Sequence, residues 1–353
     1  MSSGKITIIG AGGVGAAAAA DLTLAGHEVV LYEMPQFHKN IDPILQSGGL
    51  KLSGVGRTGF AKIDKVTTDI AEAVRDTQII MVATVGWAHK TIAELCAPHL
   101  EDGQTIILSS AQFGSLEFSK VLKAKRPDLH VKIAETVSAP YVSRRTVPDK
   151  AEVTIRMHFH GLGLAALPAR YTEQVMKEIK EFYPDVFSAG RNVVEVGLSN
   201  INILGHPCPI LLITGWIERT EGNLAYSEGF TSSVLRVVEA TFQEKNAILK
   251  ALGLRELYSF EQLKEYIFDP EIRQVKGPPD MHHRFITEDC PMGLVALTSL
   301  GDLVGVPTPV CKAIITLISE IIGIDYFKEG RNLERLGISG LSLKQLRKFL
   351  DEG

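Results

Sequence analysis

Apolar and polar positions fall into alternating blocks along the first half of the chain. KITIIG at 5–10 is a short β-branched run ending in glycine, the pattern of a buried parallel strand. GVGAAAAADLTLAG at 13–26 is rich in alanine and predicts a helix with Gly26 as its C-cap. HEVVLYE at 27–33 predicts the next strand, and Pro35 then opens a helix. QIIMVAT at 78–84 and QTIILSS at 104–110 repeat the theme around a predicted helix over 87–99, and VKIAET at 131–136 and AEVTIRMHF at 151–159 add strands. Strands alternating with helices predict an α/β fold, an N-terminal Rossmann-type doubly wound sheet with helices on both faces. From about residue 199 the pattern changes. Helical periodicity dominates 224–252, 294–304 and 311–322, and Ser342-Leu-Lys-Gln345 is a capping-box pattern that opens a last short helix. The boundary falls near 190–198, which predicts an α/β domain over 1–195 and an all-helical C-terminal domain over 196–353.

Composition narrows the function classes. At 353 residues, 45% hydrophobic and 22% charged, the chain reads as globular rather than disordered. Its 37 Lys+Arg against 41 Asp+Glu give a net charge of -4, so no basic surplus exists to neutralise a phosphate backbone, and nucleic acid is not an expected partner. Cys96, Cys208, Cys290 and Cys311 show no C-x-x-C spacing, which argues against a disulfide framework or a metal site and for a reducing cytoplasm. Two uncharged stretches mimic other signals. Residues 6–20 look like a leader peptide, but glycines at 10, 12, 13 and 15 suit a tight turn better. Residues 196–217 are long enough to span a bilayer, yet they contain Asn200, Asn202, His206, Pro207 and Pro209. They read as a buried helical region lining a polar site, and no membrane segment is expected. A homodimer stands as a candidate assembly.

Gly10-Ala11-Gly12-Gly13-Val14-Gly15 sits between a predicted strand and a predicted helix, where a dinucleotide fingerprint belongs. Gly10 permits the turn, Gly12 lets a pyrophosphate approach the backbone, and Gly15 lets helix and strand pack closely. Glu33 closes the second strand as the ribose-binding acid should, and it repels a 2′-phosphate. NAD is therefore the expected cofactor, with NADP kept open by Lys39 and Arg57 downstream. Thr84, at the end of the 78–84 strand, is a further candidate cofactor contact.

Asn202-Ile-Leu-Gly-His206-Pro207 places Asn202 and His206 on one helical face. Pro207 and Pro209 cannot donate to the carbonyls of Ile203 and Gly205, so the helix should kink or end at His206. An imidazole in so uncharged a stretch needs a defined partner. Arg284-Phe-Ile-Thr-Glu288-Asp289-Cys-Pro291 leads into the apolar helix, which Thr287 or Asp289 would cap with Pro291 in its first turn. Arg284 has two readings, a fork for a substrate carboxylate or a surface pair with Glu288. His158 and His160 lie two apart on a predicted strand with no matching Asp or Cys nearby, and they read as structural.

The glycine fingerprint, Asn-x-x-x-His-Pro, and Arg-x-x-Thr-Glu-Asp-x-Pro-x-Gly-Leu-Val together resemble the octopine/nopaline (opine) dehydrogenases. The likeness continues through Ser299-Leu-Gly-Asp-Leu-Val-Gly-Val-Pro-Thr-Pro and the closing Arg331-Asn-Leu-Glu-Arg-Leu-Gly, spanning essentially the whole chain. The resemblance implies an NAD(P)H-dependent reductive condensation of a 2-oxo acid such as pyruvate with the amino group of an amino acid. It implies a catalytic His206–Asp289 dyad, Arg284 on a substrate carboxylate, and Gln112 in the oxo-acid pocket. For the family's pocket threonine, Glu135-Thr136-Val-Ser138-Ala-Pro140-Tyr141 leaves Thr136 and Ser138 as candidates, Thr136 first. Asn202 joins the substrate-binding set through its shared face with His206.

The chemistry asks for these residue types on its own account. Hydride arriving at a C=N or C=O carbon leaves negative charge on the heteroatom, which a general acid should neutralise, and histidine cycles protons near neutral pH. One ring nitrogen of His206 is expected on Asp289 and the other toward substrate. Two other classes share the fold plan: a ketopantoate-type reductase acting on a carbonyl alone, and a catalytically silent NAD-binding regulator. Dependence of cofactor oxidation on an added amine separates the first, and absence of turnover marks the second.

Overall fold

The computed structural model describes residues 4–145, 149–219 and 224–353. The chain divides into two compact units, Met1–Val193 with Leu350–Gly353, and Val194–Phe349.

Among its described residues the first unit holds the strands β1 (Lys5–Ile9), β2 (Glu28–Tyr32), β3 (Leu50–Gly54), β4 (Gly59–Ala61), β5 (Lys65–Thr67), β6 (Ile79–Val82), β7 (Thr105–Leu108), β8 (Lys132–Thr136), β9 (Tyr141–Arg144), β10 (Glu152–His158), β11 (Leu162–Leu167) and β12 (Phe187–Ala189). Eight of them form one sheet in the order β12-β11-β8-β7-β6-β1-β2-β5. Every pair from β5 to β8 is parallel, while β11 runs antiparallel to β8 and parallel to β12. β6, β7 and β8 are buried at every residue; β6 and all but the first residue of β7 are accordingly apolar, whereas β8 also buries Lys132, Glu135 and Thr136. The chain moves outward from β1 to β2 and β5, then returns to the other side of β1 as β6. At that reversal the carboxyl ends of the strands open the crevice in which such sheets bind ligands.

Residues 151–159 were expected in this sheet. Their strand, β10, instead belongs to a second sheet ordered β4-β3-β10-β9. Buried and part-exposed positions alternate at the start of β10, as in a sheet with one covered face. Between the sheets runs the helix Gly13–Leu24, packed on β2 and on β3, β4, β9 and β10. Ala16 through Ala20 are all fully buried, so the alanine run keeps this helix thin enough to be covered all round. That also explains the leader-like look of 6–20. The helix expected from Pro35 is a 3-10 turn, Pro35–Asn40, followed by the helix Asp42–Ser47. The helix expected over 87–99 is a 3-10 turn, Gly86–Ala88, and the helix His89–Cys96.

The second unit is helical, with no strand among its described residues. The helix expected over 224–252 is broken. A π-helical turn, Ala225–Gly229, precedes the helix Ser232–Leu252, which Thr231 caps by accepting the Val234 N–H at 3.4 Å. The stretch 196–217 is likewise divided, into Val193–Leu198, Asn202–Gly205, Pro207–Leu212 and Thr214–Ile217. Among the described residues no helix is long and apolar enough to cross a membrane. The helix Val295–Val304 follows a second π-helical turn, Asp289–Leu294, and neither expected cap serves it. Thr287 turns its hydroxyl back to the carbonyls of His282 and His283, and Asp289 is committed to His206. The last helix, Leu343–Glu352, starts as its sequence predicts: Ser342 N–H donates to Gln345 Oε1 at 2.9 Å and Gln345 N–H to Ser342 Oγ at 3.4 Å.

Candidate active site

β1 delivers the glycine loop at its carboxyl end. Gly10 has φ +102°, and a Cβ there would stand 2.9 Å from the Ala83 carbonyl oxygen. A Cβ on Gly15 would lie 1.7 Å from the Gly10 carbonyl oxygen, so only glycine lets the helix settle against the turn. Gly12 is the opposite case. Nothing lies within 4 Å of its would-be Cβ, and the residue is exposed. The helix begins at Gly13 and Val14 with no side-chain cap and no acid in its first turn. N–H groups at an uncapped helix start, with the helix dipole behind them, suit an anion such as a pyrophosphate.

Glu33 is buried behind this loop. Its Oε2 accepts from the Ala11 N–H at 3.0 Å and from Asn40 Nδ2 at 2.9 Å, and its Oε1 accepts from the Met34 N–H at 2.9 Å. Arg145, which sequence reasoning did not single out, donates to the Ala11 carbonyl at 3.1 Å and to that of Asn40 at 2.5 Å, tying the two segments together. Thr84 packs its methyl against Gly10, and its buried hydroxyl has no hydrogen-bond partner among the described residues. An uncapped helix start, an open glycine face and a buried hydroxyl at one turn fit a dinucleotide. Of the basic residues weighed for a 2′-phosphate, Lys39 is exposed. Arg57 is engaged by Asp21 at 3.0 Å, eight residues past Gly13 and hence about 12 Å along the helix. Arg57 is thus removed from the ribose question.

Gln112 and Thr136 sit at the carboxyl ends of β7 and β8 and are both buried. Thr136 Oγ1 accepts from the Ser110 N–H at 3.1 Å and donates to the Ser138 carbonyl at 2.8 Å. The two alternatives for the pocket hydroxyl are therefore bonded to each other, through the backbone of Ser138.

In the helical unit the helix Asn202–Gly205 stops at His206, and Pro207 starts the next, as the two prolines require. The Asn202 carbonyl accepts the His206 N–H at 3.0 Å. His206 Nδ1 lies 2.7 Å from Asp289 Oδ2, and both residues are buried. Nε2 lies 2.8 Å from the Tyr226 hydroxyl, and the imidazole stacks on Phe285 with ring centroids 3.8 Å apart and planes 19° apart. Neither aromatic was found from sequence. Tyr226 falls 20 residues from His206, in a π-helical turn that the apolar periodicity blends into the following helix. Phe285 had a readable signal, its place directly after Arg284. Arg284 itself is half exposed, with Nη1 3.6 Å from Glu288 Oε2. His283 caps the short helix Arg284–Thr287 by accepting the Phe285 N–H at 3.3 Å.

Cys208 and Cys290, neighbours of the pair in sequence, hold no reactive thiolate. Burial pushes the Cys208 thiol up to about 12, and it raises Cys290 as well, with the adjacent Asp289 charge adding to the effect. His158 and His160 bind different backbone carbonyls, those of Val55 and Asp185.

A Rossmann-type unit with an open glycine loop, and a helical unit built around a buried His–Asp pair, define a two-domain NAD(P)-dependent dehydrogenase. The family model for ketopantoate reductase PanE/ApbA matches residues 6–111, and that for the alpha-helical domain of NAD/NADP octopine/nopaline dehydrogenase matches residues 189–322. The opine dehydrogenase of Arthrobacter sp. (strain 1C) is 34% identical over 364 residues, covering 99% of this chain and 100% of that protein. Octopine dehydrogenase solved with NADH and pyruvate superposes with a TM-score of 0.78 at 16% identity, over 99% of this chain and 98% of that one. Yersinopine dehydrogenase with NADP+ bound gives 0.69 at 14% identity, over 99% and 98%. The chain belongs to the octopine/nopaline (opine) dehydrogenase family. It is an NAD(P)-dependent oxidoreductase of the opine type, joining a 2-oxo acid to the amino group of an amino acid by reductive condensation.

Proposed function

We propose that the enzyme condenses a small 2-oxo acid of the pyruvate type with an amino acid, prefers NADH to NADPH, and uses His206 and Asp289 as one proton-transfer pair. The observation that carries this reading is the 2.7 Å contact between Nδ1 of His206 and the carboxylate of Asp289, buried and 83 residues apart in the chain. An ionised carboxylate only accepts, so Nδ1 carries the hydrogen, and Nε2, which then accepts from the Tyr226 hydroxyl, is the atom that exchanges a proton.

Amine and carbonyl join with loss of water to give a C=N bond. The nicotinamide, when bound, supplies a hydride to its carbon. The C=N electron pair then rests on nitrogen, which takes a proton. Nε2 of His206 provides it, with the Tyr226 hydroxyl as the next member of the relay. Asp289 stabilises the imidazolium, and the stacked Phe285 fixes the ring plane. Arg284 offers its half-exposed guanidinium to a substrate carboxylate, Gln112 and Thr136 serve the oxo acid, and Asn202 flanks the dyad. Gly10, Ala11, Gly12, Gly13, Val14, Gly15, Glu33 and Thr84 hold the cofactor. The four free, buried cysteines suit a reducing compartment, and we read the cytoplasm as its location.

The family model of a ketopantoate-type reductase, which acts on a carbonyl alone, matches only the cofactor-binding part of the chain, residues 6–111. An NADH-oxidation screen of pyruvate and related 2-oxo acids against a panel of amino acids separates the two activities. The rate should rise strongly with the right amino acid, and the product should be a secondary amine. Equal rates with and without amine across the panel would favour the carbonyl reductase.

Cofactor choice has its own test. Glu33→Ala combined with Asn40→Arg removes the carboxylate and puts a guanidinium where Asn40 now bonds it. The ratio of kcat/KM for NADH over NADPH should fall at least about tenfold, equivalent to about 1.4 kcal/mol. A native enzyme that already prefers NADPH would show that Glu33 serves the loop alone.

A further inference from the structure

The connection from β7 to the helix Gly114–Lys125 holds three non-glycine residues in the left-handed region: Ser110 at φ +55°, Gln112 at +50° and Phe113 at +67°. Side chains with a Cβ rarely adopt that conformation, and it persists only where the surroundings over-determine it. Two consecutive residues of β8 do so here. Thr136 takes the Ser110 N–H on its hydroxyl at 3.1 Å and the Ala111 N–H on its carbonyl at 3.4 Å. Glu135 accepts the Phe113 N–H on Oε1 at 3.2 Å, and on Oε2 the Ser115 N–H at 3.0 Å and the Ser115 hydroxyl at 2.5 Å. Glu135 and Ser115 are fully buried.

A helix start needs only a local Ser, Thr, Asp or Asn to be capped. This one is capped by a carboxylate from the neighbouring strand, at the cost of three strained residues. Two of the three strained residues are polar, Ser110 and Gln112, and Gln112 is the one read as an oxo-acid contact. The loop leaves the carboxyl end of β7 between β6 and β8, on the sheet edge where open α/β folds bind ligands.

We propose that Glu135 is a positioning residue that fixes this strained loop so that Gln112 is presented to the 2-oxo acid, and that it thereby sets the KM for that substrate alone. The proposal rests on the reading of Gln112 as an oxo-acid contact. Thr136 shares the task, since its hydroxyl is already engaged by two backbone groups.

Glu135→Gln keeps the shape but turns one acceptor oxygen into an NH2 that faces an N–H, so Phe113 or Ser115 loses its partner. The KM for the 2-oxo acid should rise about tenfold, while kcat and the KM values for NADH and the amino acid stay within about twofold. Ser115→Ala removes only the hydroxyl donor and should give a smaller rise with the same selectivity, which keeps the test alive if Glu135→Gln does not fold. Gln112→Ala tests the underlying contact and should raise the same KM. A rise in Gln112→Ala with none in the other two would overturn the positioning role and leave the contact standing. No rise in Gln112→Ala would remove the contact and the proposal with it. A parallel loss of kcat, NADH affinity and thermal stability in Glu135→Gln and Ser115→Ala would make Glu135 a structural helix cap, and the proposal would fail.

Discussion

Asp289→Asn should lower kcat by up to about 10⁴-fold while the chain still folds and binds NADH. The amide has the volume of the carboxylate and can still bond Nδ1 of His206, so the buried contact at 2.7 Å need not open. What it lacks is charge. An amide that donates to Nδ1 selects the tautomer with hydrogen on Nε2, and one that accepts offers no anion to balance an imidazolium. Either way the relay fails when nitrogen needs its proton. His206→Ala should cost at least as much, and it also removes the ring stacked on Phe285. Steady-state kinetics with saturating amine, alongside NADH binding and circular dichroism, checks the split. A near-normal kcat for Asp289→Asn would reduce that residue to a packing partner.

The second large effect separates two glycines of one loop. Gly15→Ala places a methyl 1.7 Å from the Gly10 carbonyl oxygen, where the two atoms within 3 Å are both backbone and neither can yield cheaply. A loss of about 3 kcal/mol or more is expected, with melting lowered by about 2–4 °C for each kcal/mol in a unit of this size. Gly12→Ala meets nothing within 4 Å, so the melting temperature of the cofactor-free protein should hold. Its methyl occupies the pyrophosphate approach instead, and NADH affinity should fall about 10- to 100-fold. Thermal melts with and without NADH read both effects. Unchanged NADH affinity in Gly12→Ala would place the phosphates elsewhere.

What could be read in the sequence follows from how local each constraint is. The glycine loop was legible because each glycine answers to the turn itself, and Glu33 because it ends the adjacent strand. His206 stood out because burying an imidazole among apolar residues and prolines makes sense only with a partner, and the family resemblance supplied Asp289. The second sheet was not legible. β4 has three residues and is largely exposed, so no periodicity marks it, and β10 reads like any strand until its partners are known. The left-handed residues at 110–113 lack the glycines that would have announced them, because β8 rather than local sequence enforces their shape. Tyr226 was hidden for a related reason: a π-helical turn keeps helical periodicity while redirecting a side chain. Taken locally, Asp289 reads as a cap, since an acid ahead of an apolar run has that meaning; its pairing with His206 follows from the resemblance and from the chemistry, and the two side chains are in contact at 2.7 Å.

The proton-transfer pair is tested most directly by a double-mutant cycle on kcat with His206→Ala, Asp289→Asn and the two combined. Residues that act as one unit fail together, so the double variant should be little slower than His206→Ala alone. Losses that multiply would mean that His206 and Asp289 act independently, and the relay would be wrong.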